Sequence, residues 1–516
     1  MRFALPHVST RRLVGTVAVL AALLRFPGML WPIRPDEAGF TLVARAWHPE
    51  PDSLYGTYWV DRPPPMIALV KLSDMVGGPL FARVLAALGC ALLVVAAART
   101  AYLISGGTAA RWTALGTAAV ASNTMIDSVA AKGEILGIPV VVTSFWFALE
   151  ALRLVRANPR RMPLPAVWLA LGAGFLGMLA IGLKQNMATG LTFGGVVLLT
   201  SALRKEISRP DFTVLAGAAL VGAAIPLTAT IGWCLAVGVR LETLWYTVYG
   251  FRSHALSVIS DEPADAPARR AALLALFFLL TGMAFVVVWF LANIRDAWRA
   301  HAAVTAATIA CFLVDGAGVV LGGSYWRPYL FGLVPSVTLF VALISGGRER
   351  PRRTMQRIVA LTAASSLISM VVWVTSTTIG AYPPMAVYTG QAIHDVAEPG
   401  DTIVVFGGHA DIVLSSGLDS PYEHLWSLPM RGNDPGLDEL TGLLRSDEAP
   451  TWFVGWVRLD AWNGAGHEQL ESVLAERYTR HGTGCDDHPI WLLTSAERPE
   501  PAPRCDQPWK WWQGLR

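Results

Sequence analysis

Long apolar stretches alternate with short polar breaks over the first 380 residues of this chain. Apolar segments run near 13–33, 79–104, 110–127, 133–152, 164–181, 186–203, 212–238, 271–293, 301–321, 328–345 and 358–380. A bilayer core of about 30 Å takes about 20 helical residues, so the pattern predicts about eleven transmembrane helices. The stretch 13–33 competes with a secretory signal, but it holds Arg25 and no small-residue cleavage site precedes Arg34-Pro35-Asp36, so a retained helix is expected. Between the first two spans, Met66, Ile67, Leu69, Val70 and Met75 stand beside Lys71 and Asp74, a spacing suited to a helix lying on the membrane interface.

Past residue 381 the pattern changes. Thr402–Phe406, Trp452–Trp456 and Ile490–Leu493 have strand composition, while 436–446 and 467–479 have helical spacing. Alternating strands and helices predict a small α/β domain over 381–516, set against a membrane domain over 1–380. The glycines of Phe406-Gly407-Gly408-His409 lack a dinucleotide-binding pattern and predict a turn. Trp509-Lys510-Trp511-Trp512 is amphipathic, suited to the bilayer surface or to the membrane domain.

Composition agrees with a lipid-solvated chain: 53% of residues are hydrophobic and 15% charged, against about 25% charged in soluble domains. A net charge of +3 is too small to suggest a nucleic-acid partner. The basic residues are clustered, at Arg11-Arg12, at Arg153, Arg156, Arg160 and Arg161, at Arg204, Lys205 and Arg209, and at Arg348 to Arg357. The positive-inside rule places all four clusters in the cytoplasm. Threading from a cytoplasmic N-terminus then puts the segment 34–78, the Lys132-Gly133-Glu134 turn, the turn 182–186, the loop 239–270, the turn 322–328 and the tail outside. Cys90, Cys234 and Cys311 lie in apolar stretches and read as buried small hydrophobes. In an oxidising compartment Cys485 and Cys505 are a candidate disulfide, which their spacing permits and leaves open.

Asp36-Glu37, directly after the first span, is the sharpest chemical signal. A carboxylate at that depth is costly unless hydrated or used, and it can take a proton from an attacking hydroxyl. Acids also favour helix N-termini, so a solvated helix start fits the dipeptide too. Arg62 precedes three prolines that fix an extended turn, which holds a guanidinium ready for a phosphate oxygen or for a lipid headgroup. Lys184, and Arg327 between Tyr325 and Tyr329, add cations that can stabilise a departing phosphate. The loop 239–270 offers Arg252, His254 and several aromatics, which suit a sugar-phosphate site or an interfacial belt. His254 has no partner at metal-ligand spacing. No ATP-binding loop, zinc-protease helix or nucleophile elbow is present in the sequence.

In this order the residues resemble the GT-C class of membrane glycosyltransferases, in particular the dolichyl-phosphate-mannose protein mannosyltransferases and bacterial aminoarabinose lipid A transferases. The likeness runs over most of 13–345. It rests on Asp36-Glu37, Arg62-Pro63-Pro64, Phe81-Ala82-Arg83-Val84-Leu85, Glu134, Gly182-Leu183-Lys184-Gln185 and the aromatic-basic turn with Pro335. The resemblance implies a polytopic GT-C fold in the plasma membrane, with an extracytoplasmic C-terminal α/β domain. It also implies inverting transfer of a sugar, such as mannose or arabinose, from a polyprenyl-phosphate donor to a cell-envelope glycan, lipid or protein. Asp36 would be the base or acceptor-orienting acid, with Glu37 in support. Arg62 would contact donor phosphate, joined by region by Lys184, Arg252 and Arg327, while Tyr58, His254, Tyr325 and Tyr329 are candidate substrate contacts. Tyr58 stands four residues before Arg62, where relatives place a tyrosine three before. No cage of acids is visible, so no cofactor or obligatory metal is expected. A transporter or flippase of lipid-linked sugars is the rival reading, disfavoured by the lack of related halves. A non-enzymatic scaffold, in which Asp36 would be dispensable, is a third.

Overall fold

The computed structural model describes residues 9–260, 265–461 and 466–511. Among the described residues, 8 helices are long and apolar enough to span a membrane, or 9 when the bent pair Ala266–Leu280 and Met283–Ala292 is taken as one span. All eleven predicted apolar segments are helical. The difference in count arises because the helix Pro64–Ala121 carries two of the predicted spans, and Thr189–Leu203 is shorter than a full crossing.

Within Pro64–Ala121 the backbone leaves the helical region at Gly77-Gly78 and at Ser105-Gly106, where Gly78 and Gly106 have φ of 65° and 78°. Only glycine adopts such values without strain. The first break, followed by Pro79, separates the amphipathic helix beginning at Pro64 from the second span; the second break turns that span back as the third. At that turn a Cβ on Gly346 would meet Ser105, and nearby Arg111 donates to Thr10. Arg156 pairs with Glu206 and thereby joins two basic clusters. The basic turns thus share the end of the bundle opposite Asp36.

Packing between spans is close. A Cβ at Gly174 would overlap the carbonyl of Ala219, and one at Gly222 that of Leu171, so the helices Leu164–Leu183 and Arg209–Ala236 cross with their backbones in contact. The segment 239–260, read as a loop, is helical over Leu241–Trp245 and Phe251–Ser260, with a π-helical turn at Tyr246–Gly250 between them.

Beyond the last span the chain forms a four-stranded sheet, β1 (Ile403–Phe406), β2 (Trp452–Gly455), β3 (Tyr478–Thr483) and β4 (Pro489–Leu493), in the order β1-β2-β4-β3. Strands β1 and β2 are parallel, whereas β4 is antiparallel to β2 and β3. The expected helices appear as Asp438–Arg445 and His467–Arg477. Gly407 and Gly408 do make a turn, with φ of 111° and 79°. Strand β3 and the helices Met385–His394 and Ala410–Ser416 add to the expected elements.

Cys485 and Cys505 are bonded, with Cα atoms 5.4 Å apart. The tail rests on the membrane domain: Trp509 donates to the carbonyl of Leu30 at 2.9 Å, and Trp511 packs against Trp31 and Trp373. Trp512 lies outside the described residues.

Candidate active site

The site begins at the helix Pro35–Arg45, whose proline at the first position and acids in the first turn suit a helix N-terminus. Successive helical residues point about 100° apart, and the two acids part company accordingly. Glu37 turns inward. Its carboxylate accepts from Arg83 Nε and NH2 at 2.8 and 2.6 Å, from the Ala131 amide at 2.7 Å and from the Arg34 amide at 3.1 Å. Arg83, 2% exposed, also donates to the carbonyls of Gly28, Trp31 and Pro32 at the end of the first span. Burial works to raise the Glu37 pKa, but Arg83 and the two backbone donors hold it below the usual range. Glu37, expected to support Asp36, thus contacts Arg83 and two backbone amides and points away from its neighbour.

Asp36 faces the other way, with its side chain 35% exposed. Lys132 Nζ lies 3.1 Å from Oδ2, and the Trp426 indole donates to Oδ1 at 3.1 Å. Lys132 also contacts Asp127 at 3.0 Å, and Asp127 takes Arg34 on its other oxygen at 2.5 Å. Burial raises the Asp36 pKa, yet Lys132, Arg62 and the Trp426 bond outweigh it, so the carboxyl stays below its ordinary value. It is an ionised acid in a cationic setting.

Arg62 is held on the turn that the prolines form. It donates to Asp61 Oδ1 at 2.5 Å, lies over the Phe40 ring at 5.5 Å, and its own carbonyl accepts from Tyr55 at 2.5 Å. Burial opposes its charge, but Asp61, Asp36, Glu134 and Tyr329 are near enough to push its pKa above the ordinary value. Arg252 pairs with the second oxygen of Asp61, and the Gln185 amide donates to the backbone carbonyls of Asp61 and Val248 at 2.9 and 3.2 Å. The segments 34–78, 182–186 and 239–270 thus converge on Asp61.

Lys184 is buried, paired with Glu134, and lies 5.6 Å above the Tyr329 ring. These three residues line a small cavity of about 30 Å³. Its walls run into the spans along Ile138, Val141, Met187, Val314 and Val319. Asp315 lines it too, accepting from Thr189 on one oxygen and from Ser336 at 2.6 Å on the other. Counting Arg34, Arg62, Lys132, Lys184 and Arg252 against Asp36, Asp61, Asp127 and Glu134, the cluster is net cationic.

The remaining sequence candidates lie elsewhere. Tyr58 is 2% exposed and its hydroxyl accepts from the Ser420 amide at 3.1 Å, so it fastens the segment 34–78 to the C-terminal domain rather than facing a cavity. Arg327 is exposed and lies over Phe277 at 5.9 Å, and His254 is exposed on the helix Phe251–Ser260. Tyr325 occupies a left-handed turn with φ of 52°. Among the described residues, Arg327, His254 and Tyr325 make no hydrogen bond or ion pair with the cluster. Conversely, Arg34, Asp61, Asp127, Lys132 and Trp426 belong to it although no local pattern singled them out as site residues.

No family model matches the sequence, and no curated protein matches it by sequence. Among solved structures, the chain is similar to ArnT from Cupriavidus metallidurans bound to undecaprenyl phosphate. The TM-score is 0.65 at 13% identity, covering 96% of this chain and 100% of that one. The same protein in its apo state gives 0.58 at 13% identity, covering 92% and 97%. At such identity the likeness establishes the fold. The chain is a multi-pass helical protein of GT-C architecture with a small C-terminal sheet domain.

Proposed function

We propose that this protein is an inverting glycosyltransferase that moves a sugar from a polyprenyl-phosphate donor to a cell-envelope acceptor on the outer face of the plasma membrane. The observation that carries this reading is the net-cationic cluster that holds Arg62, Lys184 and Arg252 together with an ionised Asp36, Lys184 also lining a small cavity among the spans. A lipid phosphate needs fixed positive charge at the headgroup and apolar walls for its first isoprene units. The cluster supplies the fixed charge, apolar residues such as Ile138, Val141 and Val319 stand beside Lys184, and the ArnT structure of the same fold is bound to undecaprenyl phosphate.

In the proposed step an acceptor hydroxyl attacks the anomeric carbon, and the bond from that carbon to the phosphate oxygen breaks. The electron pair leaves with the polyprenyl phosphate, whose growing charge is met by Arg62, Lys184 and Arg252. The hydroxyl proton passes to Asp36. A carboxylate with a depressed pKa is a weak base, so Asp36 orients the hydroxyl in the ground state and accepts its proton only as the new bond forms. Lys132 and Trp426 fix that carboxylate in place.

The direct test is purified protein with undecaprenyl-phosphate mannose or arabinose and a cell-envelope acceptor, read as release of free undecaprenyl phosphate. Movement of intact donor between leaflets without cleavage would replace this reading with a transporter. A second measurement addresses the phosphate contacts. A hydrogen bond to a charged group contributes about 1.5–3 kcal/mol. Arg62→Ala is therefore expected to weaken donor binding roughly tenfold to a hundredfold, and titration calorimetry that finds unchanged affinity rejects the assignment.

A further inference from the structure

We infer that the C-terminal domain carries a divalent-cation site formed by His424, Glu423 and Glu439, separate from the Asp36 centre. The ligand atoms of these three residues all lie within 4.8 Å of one another. The imidazole Nε2 stands 3.3 Å from a Glu423 oxygen and 3.7 Å from a Glu439 oxygen. A tetrahedral ion with nitrogen and oxygen ligands at about 2.0–2.2 Å spaces them about 3.3–3.6 Å apart, so small rotations of the carboxylates complete the geometry.

The second observation is the histidine itself. Its side chain is 0% exposed, and among the described residues neither ring nitrogen has a hydrogen-bond partner. A buried imidazole left unbonded is costly, and a cation on Nε2 removes that cost while neutralising two adjacent carboxylates. The nearby acid Asp434 is already committed. One of its oxygens accepts from the Glu439 amide at 3.1 Å, the other from Tyr422 at 2.9 Å and the Leu440 amide at 3.0 Å. Asp434 therefore positions Glu439 rather than serving as a fourth ligand. Glu439 and Glu423 are half and one-third exposed, which leaves room for water in the remaining coordination position. One imidazole and two carboxylates suit zinc or manganese better than calcium, which favours an all-oxygen shell.

The placement gives the site a task. The Glu423 carbonyl accepts from the Trp59 amide at 3.0 Å, three residues before Arg62, and Trp59 packs on Phe251, next to Arg252, with ring centroids 4.4 Å apart. A cation there ties the C-terminal domain to both segments that carry the phosphate-binding arginines.

The test uses the full chain in detergent, stripped with chelator and titrated with zinc and, separately, with manganese. Wild type is expected to take up one tightly held equivalent and to unfold at a higher temperature when loaded. Glu439→Gln alters a half-exposed side chain and so leaves the fold intact; it should lower zinc affinity at least tenfold and abolish the thermal shift. His424→Ala should do the same. Wild type that binds neither zinc nor manganese stoichiometrically, or a Glu439→Gln protein that binds like wild type, overturns the inference. Neither result bears on sugar transfer, which the lipid-release assay reads independently.

Discussion

Asp36→Asn is expected to reduce release of undecaprenyl phosphate by roughly a hundredfold to ten-thousandfold, the range that a positioned acid or base contributes, while donor affinity changes little. The variant keeps the shape of the site. An asparagine oxygen can still accept from Trp426, which now donates at 3.1 Å, and Lys132 keeps its contact with Asp127 at 3.0 Å. What it loses is the negative charge that orients the acceptor hydroxyl and receives its proton. Near-normal turnover in Asp36→Asn would remove Asp36 from the chemistry altogether. The pH profile supplies an independent check. Burial alone would raise the Asp36 pKa, but Lys132 and Arg62 depress it, so the acid remains ionised from neutrality down to its ordinary value. Acidification to about pH 5 should therefore not cost activity through this group. In Lys132→Met the offset to burial is reduced, and the acid limb of the profile should move to higher pH.

The reach of the sequence can be judged from particular residues. The spans were legible because bilayer thickness imposes a length on apolar runs that no other local signal imitates. Strands β1, β2 and β4 were legible from their β-branched and aromatic runs. Strand β3 was not: Tyr478–Thr483 reads Tyr-Thr-Arg-His-Gly-Thr, an edge strand with one buried residue and no alternation. Asp36 and Arg62 stood out because each occupies a position where burial or rigidity makes a charge expensive. The roles of their neighbours were hidden because contact across the fold leaves no local trace. Lys132 and Trp426 reach Asp36 from other segments, and Trp426 stands 390 residues away. Two charges inside apolar spans gave weaker signals. Arg83 in one span and the lone aspartate Asp315 in another each call for an internal partner, and the structure supplies Glu37 for the first and Thr189 with Ser336 for the second.

Arg83→Met should be the most damaging single change to stability. It leaves Glu37 with one oxygen facing the Ala131 amide, the other facing the Arg34 amide, and no cation in contact. Removing one partner of a buried ion pair costs about 3–5 kcal/mol, and the carbonyls of Gly28, Trp31 and Pro32 lose their donor as well. The apparent unfolding temperature in detergent should fall sharply. Linkage gives the sign of the pH effect. In wild type the Glu37 pKa is lowered, so the stability it confers is present above the unfolded value and is lost only as pH falls through the folded one. Without Arg83, burial is no longer outweighed by the guanidinium, the folded pKa rises, and the ionised carboxylate becomes a liability at neutral and alkaline pH. Arg83→Met should therefore lie closer to wild type at pH 5 than at pH 8. Adding Glu37→Gln should recover part of the loss, because a neutral amide needs no counter-charge. A double variant whose deficit is the sum of the two single deficits would mean that the residues are uncoupled, and that the helix Pro35–Arg45 is anchored to the second span by something other than this pair.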